Sequence, residues 1–560
     1  MQEFSWIKNY PKGIAAEINP DSYSSLVDLL ETSFQKYGDL KAYENMGKTL
    51  TFSEIDKYSA QFADFLQNHT NLQKGDRIAI QMPNLFQWVI AMFGSIRAGL
   101  IVVNTNPLYT AREMGHQFSD SGAKAVVILA NFAHNLEKII KETQIETVVI
   151  TEIGDMLGGF KKTLVNFVVK RVKKMVPPFK IDGAIEFNHA MKLGAAGNFN
   201  KPSIDNEDIA FLQYTGGTTG VSKGAMLTHR NIIANMEQIS YWMLPKLKEG
   251  VEIVITALPM YHIFALTVNC LSFLKLGAFN VLITNPRDMP AFIKTLKKFP
   301  FTAVTGVNTL FNGLLNQEEF KNVDFSKFKI AVGGGMAVQD TVATKWKSIT
   351  GVPLAEGYGL TETSPVLCCN PIDGTERIGT IGLPLPSTEI RILDEMGKEL
   401  PVGESGEICA KGPQVMKGYW EKPEETENVF IKGYFKTGDI GFINEDGFAK
   451  IVDRKKEMIN VSGFNVFPNE IENVISAHEK VLEVGAIGIN DPKSTEKVKV
   501  FIVKKDESLT EEEIIDYCKE NMTSYKVPKQ VEFRKELPKS NVGKILRRIL
   551  KEEEEGIKPE

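Results

Sequence analysis

Cysteine is scarce in this chain of 560 residues, which contains only five, and no two of them form a Cys-x-x-Cys pair. We therefore expect neither a disulfide-stabilised domain nor a structural zinc site. An excess of basic charge is also missing, since the formal net charge is -5. Without a positive field around the whole protein, we expect no nucleic-acid partner.

No stretch of the sequence reads well as a membrane span. The best candidate, residues 264–283, contains Asn269, Lys275 and Asn280, so we expect a buried helix followed by a strand. Residues 1–10 lack the apolar segment of a signal peptide. The sequence predicts a cytoplasmic protein, with a peripheral position on the inner face of the cell membrane as a second interpretation.

What remains is an ordinary globular composition, with 43% hydrophobic and 24% charged residues. Short β-rich runs alternate with helical patterns through most of the chain, which predicts an α/β fold. The clearest runs are residues 77–82, 125–129, 253–258 and 329–332. From about residue 388 antiparallel strands with tight turns follow, and we expect a small β-barrel-like part there.

Two domains of unequal size are predicted. Residues 1–452 form the large N-terminal domain, and residues 459–560 mix strands and helices in a small α+β domain. Between them, residues 453–458 (DRKKEM) are charged and separate two apolar strands, which is typical of a hinge.

The most informative motif is a loop rich in glycine and hydroxyl groups, residues 214–224 (YTGGTTGVSKG), which follows an apolar strand. Glycines let the backbone approach a ligand closely. Backbone amides, hydroxyls and the Lys223 ammonium then surround an anion. The loop is not a Walker A motif, because Lys223 stands between Ser222 and Gly224. We interpret it as a polyphosphate-binding loop.

Three further motifs occur downstream: residues 357–362 (GYGLTE), 434–439 (YFKTGD) followed by 453–456 (DRKK), and 538–544 (PKSNVGK). In type and order, the four motifs resemble the core motifs of adenylate-forming enzymes, the superfamily of acyl-CoA synthetases, luciferases and peptide-synthetase adenylation domains. Within it, the sequence resembles bacterial long-chain-fatty-acid–CoA ligases over essentially the whole chain. Residues 258–265 (LPMYHIFA) are among those that carry this resemblance.

The resemblance implies a two-step reaction. ATP would activate a long-chain fatty acid to acyl-AMP with release of pyrophosphate, and coenzyme A would then take the acyl group with release of AMP. The expected substrates are a fatty acid, ATP and coenzyme A, with Mg²⁺ as cofactor. Two alternatives stay open: a medium-chain or aryl acid–CoA ligase of the same superfamily, and a non-catalytic membrane-surface protein.

The resemblance also implies catalytic roles. Lys544, Glu362 and Lys223 are expected to be catalytic, with Lys544 stabilising charge during adenylation. Thr215 and Glu362 would hold the metal ion. Lys456 is expected at a hinge about which the C-terminal domain moves as a lid, and Gly463 beside the coenzyme A arm. His262 is interpreted equally as an acyl-side residue or as a core histidine. The adjacent cysteines at 368 and 369 are expected to be buried packing residues.

Nucleotide contacts are implied for a larger set of residues. The turn at residues 333–335 would lie against the adenine and ribose, with Tyr358 stacking on the base. Asp439 would accept hydrogen bonds from the ribose hydroxyls, and Arg454 would contact the ribose and phosphate. The full expected set is Thr215, Gly216, Gly217, Thr218, Thr219, Gly220, Lys223, Gly333, Gly334, Gly335, Gly357, Tyr358, Gly359, Thr361, Asp439, Arg454 and Lys544.

Residues 157–180 contain seven basic residues and no acid. Phe160, Leu164, Val168 and Val172 recur at intervals of four, which predicts a basic amphipathic helix ended by the prolines at 177 and 178. Two interpretations stay open: peripheral contact with an anionic membrane, or a solvated surface helix packed on the domain. A homodimer is a further expectation that the sequence leaves open.

Overall fold

The computed structural model describes residues 4–215, 222–462, 464–491, 494–540 and 543–556. Its strands, numbered along the chain, are β1 Lys41–Asn45, β2 Lys48–Thr51, β3 Arg77–Gln81, β4 Ile101–Asn104, β5 Ala123–Leu129, β6 Thr147–Thr151, β7 Ile185–Glu186, β8 Ile209–Thr215, β9 Lys223–Thr228, β10 Ile253–Thr256, β11 Phe279–Leu282, β12 Ala303–Gly306, β13 Ile330–Gly333, β14 Leu354–Gly359, β15 Val366–Cys369, β16 Leu383–Pro384, β17 Glu389–Leu393, β18 Gly406–Lys411, β19 Gly418–Tyr419, β20 Phe430–Ile431, β21 Tyr434–Ile443, β22 Ala449–Arg454, β23 Ile459–Val461, β24 Phe464–Val466, β25 Val481–Asp491, β26 Thr495–Lys504 and β27 Gln530–Arg534.

The α-helices surround these strands. They are α1 Leu26–Tyr37, α2 Phe52–Asn68, α3 Phe86–Arg97, α4 Ala111–Ser121, α5 Ala133–Ile139, α6 Gly159–Phe167, α7 Phe187–Leu193, α8 His229–Met243, α9 Phe273–Lys275, α10 Met289–Lys298, α11 Asn308–Leu315, α12 Asp340–Thr350, α13 Pro423–Asn428, α14 Pro468–Ser476, α15 Glu511–Asn521 and α16 Arg547–Glu554. Val168–Val172 and Ala265–Ser272 form π-helical segments.

Two large sheets form the framework of the N-terminal part. One has nine strands in the order β16-β15-β14-β13-β12-β10-β11-β1-β2, and the other has eight in the order β19-β9-β8-β4-β3-β5-β6-β7. The central strands of both sheets pair in parallel. Strand order reverses within each sheet, and ligands of such sheets bind beyond the carboxyl ends of the strands.

Two smaller sheets complete the molecule. Strands β17, β18, β20, β21 and β22 form an antiparallel five-stranded sheet, and β23 to β27 form the sheet of the C-terminal domain. The C-terminal domain has hydrophobic clusters of its own, around Val466, Ile471 and Val500 on one side of its sheet and around Phe501 and Leu550 on the other. The expected α/β class, with a large domain and a smaller C-terminal one, is confirmed.

Helix α8 illustrates how local sequence positions the site. It begins at His229 because the Thr228 side chain accepts a hydrogen bond from the Asn231 amide (3.1 Å), and the Asn231 side chain accepts one from the Thr228 amide (3.0 Å). This reciprocal cap fixes the start of the helix directly after β9. Almost every residue of α8 is buried, so the helix crosses the interior between the sheets.

Several sequence predictions are confirmed at the level of elements. The four β-rich runs correspond to β3, β5, β10 and β13, and the two tight turns join antiparallel strands of the small sheet. Residues 264–283 form a buried helical segment followed by β11. In the part of the chain that the structure describes, no helix is long and apolar enough to cross a membrane.

The basic segment differs from its prediction. A helix reaching the two prolines was expected, but regular helix ends at Val172, because Lys174 adopts a left-handed conformation (φ 50°). The Asn131 side chain then holds the chain by donating to the Met175 carbonyl at 3.0 Å. The prediction of its C-terminal end was therefore wrong by one turn or more.

All five cysteines are buried, free thiols. Burial raises the pKa of Cys270, Cys369, Cys409 and Cys518 to about 12 and that of Cys368 further. Thiols with such pKa values are poor nucleophiles, which agrees with the expected packing role of the adjacent pair.

Candidate active site

A cavity of about 1560 Å³ lies between the carboxyl ends of the central strands and the C-terminal domain. Its size exceeds the usual range for one small ligand, so it has room for more than one. Most of the residues expected from the sequence line it: Thr215, Lys223, His262, Gly334, Gly335, Gly357, Tyr358, Gly359, Thr361, Glu362, Arg454, Lys456 and Lys544. Among the described residues, Gly333 and Asp439 lie behind this wall. Gly216, Gly217, Thr218, Thr219, Gly220 and Gly463 fall outside the described residues.

The ends of the phosphate loop are held by a strand pair. Thr215, the last residue of β8, is the register partner of Lys223, the first residue of β9. The Lys223 ammonium lies 3.6 Å from a Glu425 carboxylate oxygen and 5.5 Å from the centre of the Tyr419 ring. A positive charge at the mouth of this loop is available to an anionic ligand.

Glu362 lies in the 3₁₀ turn Thr361–Thr363 and is buried. The Tyr419 hydroxyl donates to its Oε1 at 2.8 Å. Burial raises the pKa of the Glu362 carboxyl, whereas the hydrogen bond from Tyr419 and the charge of Arg454 act in the opposite direction. Because burial destabilises the ionised form of this carboxyl, a nearby cation would stabilise it strongly.

The donor set at this place fits Mg²⁺. The Glu362 carboxylate and the Thr215 hydroxyl, which both line the cavity, are hard oxygen donors of the kind that Mg²⁺ prefers. Within the described ranges, no group of three or more His, Cys, Asp or Glu side chains could hold a metal by itself. A site with one carboxylate suits a magnesium ion that is held mainly by substrate phosphates.

Tyr358, Asp439 and Arg454 form a hydrogen-bonded chain from the large sheet to the small one. The Tyr358 hydroxyl donates to Asp439 Oδ2 at 2.6 Å, and Arg454 Nε lies 3.1 Å from Asp439 Oδ1. Both oxygens of Asp439 are therefore engaged by protein groups. Its carboxylate orients Tyr358 and Arg454, the two residues of the chain that line the cavity.

Only glycine fits at position 359, and there is little space for a larger residue at Gly334. A Cβ on Gly334 would lie 3.0 Å from the Gly357 carbonyl and 3.1 Å from the Phe264 ring. A Cβ on Gly359 would lie 1.8 Å from the Pro365 carbonyl. The backbone can therefore form the flat, close-packed wall that a planar base would contact.

Lys544 reaches the cavity from the C-terminal domain. Burial, with a smaller effect from Arg454, lowers the pKa of its ammonium to about 8. His262 lies in the same cavity, and burial together with the nearby Lys544 charge lowers its pKa to about 4, so its ring is neutral. His262 is half-buried and lines the cavity, so both interpretations of this residue stay open.

The loop that carries Lys544 docks directly on the large domain. The Thr309 hydroxyl, at the start of α11, donates to the Gly543 carbonyl at 3.0 Å. Gly543 has φ 85°, and a Cβ there would lie 2.5 Å from the Thr309 hydroxyl oxygen. Glycine is thus required for this contact, which places the lysine inside the cavity.

Arg547 contacts the segment that the sequence predicts as a hinge. Its guanidinium donates to Glu472 at 2.8 Å and also binds Glu457 and Asn469. It lies 3.6 Å from Asp453, whose carboxylate also accepts a hydrogen bond from the Asn469 amide at 2.8 Å. The C-terminal domain is therefore tied to both sides of Lys456, the expected hinge residue.

The far side of the cavity is an apolar arm, which sequence reasoning missed. It is lined by Ile239, Trp242, Met243, Val268, Cys369, Ile372 and Leu385. These residues come from α8, the π-helical segment, β15 and the chain after β15 and β16. Tyr419 and Arg547 were missed as well. The only sequence signal for the arm was the apolar character of α8, which also fits a core helix.

Comparison with protein families assigns the chain to one class. Residues 30–420 match the family model described as AMP-binding enzyme, and residues 470–544 match the C-terminal domain of AMP-binding enzymes. The chain belongs to the AMP-binding enzyme family. The resemblance to adenylate-forming enzymes is thus confirmed.

Individual relatives sharpen this classification. A long-chain-fatty-acid–CoA ligase from Escherichia coli O6:H1 is 55% identical over 551 residues, covering 98% of each chain. Ligases with the same description from Haemophilus influenzae and Bacillus subtilis are 52% and 40% identical, covering 99% and 98% of each chain. Among solved structures, the ATP-bound MatB of Rhodopseudomonas palustris is similar with a TM-score of 0.81, at 28% identity over 95% of this chain and 100% of that one. The anthranilate CoA ligase AuaEII with anthranoyl-AMP gives a TM-score of 0.85 at 25% identity over 97% and 99%.

Proposed function

We propose that this chain is a long-chain-fatty-acid–CoA ligase that works through an acyl-AMP intermediate. The observation that carries the proposal is one continuous cavity, which joins the polar end at Glu362 and Lys544 to the apolar arm at Trp242. Identity of 55% to curated ligases over 98% of both chains supports the same conclusion. A fatty acid fits this cavity, because its carboxylate suits the polar end and its hydrocarbon chain suits the apolar arm.

In the first step the fatty-acid carboxylate attacks the α-phosphorus of ATP. A phosphorus–oxygen bond to the acid forms, the bond to the bridging oxygen breaks, and pyrophosphate leaves. Lys544 offsets the negative charge that develops at the α-phosphate, and Lys223 attracts the outgoing phosphates. Thr215 and Glu362 would hold Mg²⁺, which when bound offsets charge on the pyrophosphate.

The nucleotide would occupy the glycine-rich end of the cavity. Tyr358 would stack on the adenine, with the close-packed backbone of Gly334 on the facing wall. Arg454, oriented by Asp439, would contact the ribose and the phosphate. The phosphates would lie on the loop from Thr215 to Lys223, and residues 216–220 of this loop complete the expected set.

In the second step the thiol of coenzyme A attacks the acyl carbonyl carbon of acyl-AMP. A thioester bond forms, the mixed anhydride breaks, AMP leaves and the thiol proton is released. In this structure Lys544 lies in the cavity, where the first step needs it, and the second step makes no use of its charge. We therefore propose that residues 459–560 turn about the segment 453–458, near Lys456, and that Gly463 then faces the coenzyme A arm.

The test is AMP release across a ladder of acids, with and without coenzyme A. Palmitate with coenzyme A should give stoichiometric AMP, pyrophosphate and palmitoyl-CoA, and should be used better than octanoate or 4-coumarate. A preference for octanoate would indicate a medium-chain ligase, and one for 4-coumarate an aryl ligase. No nucleotide turnover with any acid would contradict catalysis altogether.

We also propose that the segment 157–180 contacts an anionic membrane. Five large apolar side chains of this segment are exposed: Phe160, Leu164, Phe167, Val172 and Met175, with Phe160 80% exposed. Basic residues flank them, and an apolar face with a basic border suits the surface of an anionic bilayer. A cytoplasmic location and the homodimer stay predictions.

A further inference from the structure

One side chain of the apolar arm is much larger than the others and also contacts residues outside the cavity. Trp242 lies on the last turn of α8 and lines the cavity, but its side chain is only 2% exposed. Tyr10 and Asn370 contact the indole from other directions. Among the described residues, neither of these two lines the cavity. The indole therefore separates the cavity from the N-terminal segment.

Two contacts fix the orientation of this indole. Its Nε1 donates to the Asn370 carbonyl at 3.1 Å. The Tyr10 ring meets it edge-on, with centroids 5.2 Å apart at 88°. Tyr10 is itself anchored, because its hydroxyl donates to the Pro384 carbonyl at 2.5 Å. Displacing the indole would leave the Asn370 carbonyl without its partner in a buried place and would press on an anchored ring.

The side walls of the arm differ from its end. Met243 follows Trp242 and carries an unbranched, flexible side chain, and Ile239 lies one helical turn earlier on α8. Flexible thioether side chains adapt to ligands of different shape. The side walls can thus accommodate chains of different shape, whereas the end of the arm cannot move.

We propose that the Trp242 indole is the floor of the acyl arm and sets the longest acyl chain that this enzyme activates, an inference that rests on the proposed function. Each further methylene gains apolar burial until the terminal methyl reaches the ring. One methylene more must displace a fixed side chain in a packed interior. Such a pocket discriminates between neighbouring chain lengths by about tenfold or more.

The experiment measures kcat/KM of the full-length enzyme for saturated acids from octanoate to behenate, by pyrophosphate release with ATP and coenzyme A saturating. Trp242→Phe and Trp242→Leu deepen the arm. For the first acid longer than the wild-type optimum, kcat/KM relative to octanoate should rise about tenfold in Trp242→Leu and less in Trp242→Phe. Ile239→Phe narrows the arm and should move the optimum to shorter acids.

The matched control is Trp346→Phe. Trp346 is equally buried but packs against Phe311 and Phe320, away from the cavity. This variant should unfold at a lower temperature, as the Trp242 variants should, without changing the chain length of the preferred acid.

A second experiment needs no variant. Palmitate brominated at its terminal carbon should quench tryptophan fluorescence more than palmitate brominated beside the carboxylate.

The outcomes separate this inference from the function on which it rests. If the wild-type enzyme activates no fatty acid, the proposed function fails first. If it activates long-chain acids, but folded Trp242 variants keep the wild-type optimum or lose all acids equally, the floor is elsewhere. Equal quenching by the two brominated acids would overturn the inference even if the Trp242 variants do not fold.

Discussion

The surroundings of Lys544 destabilise its ammonium form. Its pKa is lowered to about 8, chiefly by burial, so the ammonium form dominates below that pH and is lost above it. In the free enzyme, a reaction that needs this ammonium should therefore slow as pH rises through 8. The triphosphate of bound ATP adds negative charge nearby, which favours the ammonium and moves the transition to higher pH in the complex.

We expect kcat/KM for pyrophosphate release to fall about tenfold for each pH unit above 8, and kcat to fall only at higher pH. Lys544→Arg should remove the alkaline limb of kcat/KM, because a guanidinium stays charged. Lys544→Ala should slow adenylation by about a hundredfold or more, while thiolysis of supplied acyl-AMP is spared. Equal loss of both half-reactions would contradict a role confined to the first step.

A second prediction concerns the hydrogen bond between Tyr419 and Glu362. In Tyr419→Phe the buried carboxylate loses its donor, so its pKa rises further and protons compete better with the metal. We expect the Mg²⁺ concentration for half-maximal adenylation to rise about tenfold, more at acidic pH, since a hydrogen bond to a charged group contributes about 1.5 kcal/mol or more.

The matched control for Tyr419→Phe is Tyr434→Phe. Tyr434 donates to Glu389 at 2.5 Å, outside the cavity wall. Its loss should leave the Mg²⁺ titration unchanged. An unchanged titration in Tyr419→Phe as well would show that this tyrosine does not support the metal site.

At the scale of elements, the hinge is held by a contact between α16 and the end of β22. Arg547 and the Asn469 amide both bind the Asp453 carboxylate. Burial raises the pKa of Asp453 to about 6, although Arg547 acts to lower it. Removing one partner of such a buried pair leaves an uncompensated charge, which costs several kcal/mol. The contact must break if the C-terminal domain is to turn.

We expect Arg547→Lys and Asp453→Asn each to slow ATP–pyrophosphate exchange by roughly tenfold and to leave thiolysis of supplied acyl-AMP near the wild-type rate. The double variant should be little worse than Arg547→Lys alone, because that change already removes the contact with Asp453. Arg534→Lys is the control, since Arg534 binds Glu532 and Glu553 within the C-terminal domain. Additive losses in the double variant would contradict a shared contact.

How many of the residues that line the cavity can be named from the sequence depends on how local their sequence signals are. Thr215, Glu362 and Lys544 lie in short contiguous motifs, so they are recognisable without a structure, and all three line the cavity. Tyr419 acts through Glu362, which is 57 positions away. The Trp242 indole donates a hydrogen bond to the carbonyl of Asn370, which is 128 positions away. No periodicity or spacing marks such pairs, because only the fold brings them together.

The basic segment shows the same limit within one element. Its apolar period predicts the helix correctly. The end of the helix depends instead on the left-handed turn at Lys174 and on the Asn131 side chain from another element. The proline at 177 marks the last point at which the helix could end. It gives no information about an earlier end.

At the scale of the whole molecule, that segment offers one basic, apolar face. Lys162 and Lys170 lie near Asp155 and Glu152, at 3.3 and 3.5 Å, so part of its charge is already compensated. The exposed residues Arg171, Lys173 and Lys174 follow at the end of the helix, beside Val172.

Replacing Arg171, Lys173 and Lys174 with glutamine should weaken partition onto phosphatidylglycerol vesicles by about 1 kcal/mol for each charge, which is about a hundredfold in total. Partition onto phosphatidylcholine should be weak and unchanged. Glutamine at Lys294, Lys297 and Lys298, which are exposed on α10, is the control and should have little effect. Equal vesicle binding by all proteins would remove the membrane role.

Because every cysteine of this enzyme is buried, its thiols become accessible only where the protein unfolds. With pKa values of about 12 or more, the folded thiols should resist alkylation by iodoacetamide at neutral pH. Cys518 belongs to the core of the C-terminal domain, and the other four lie in the large one. Mass spectrometry of a partly alkylated sample would therefore report which domain unfolds first, with no label added to the protein.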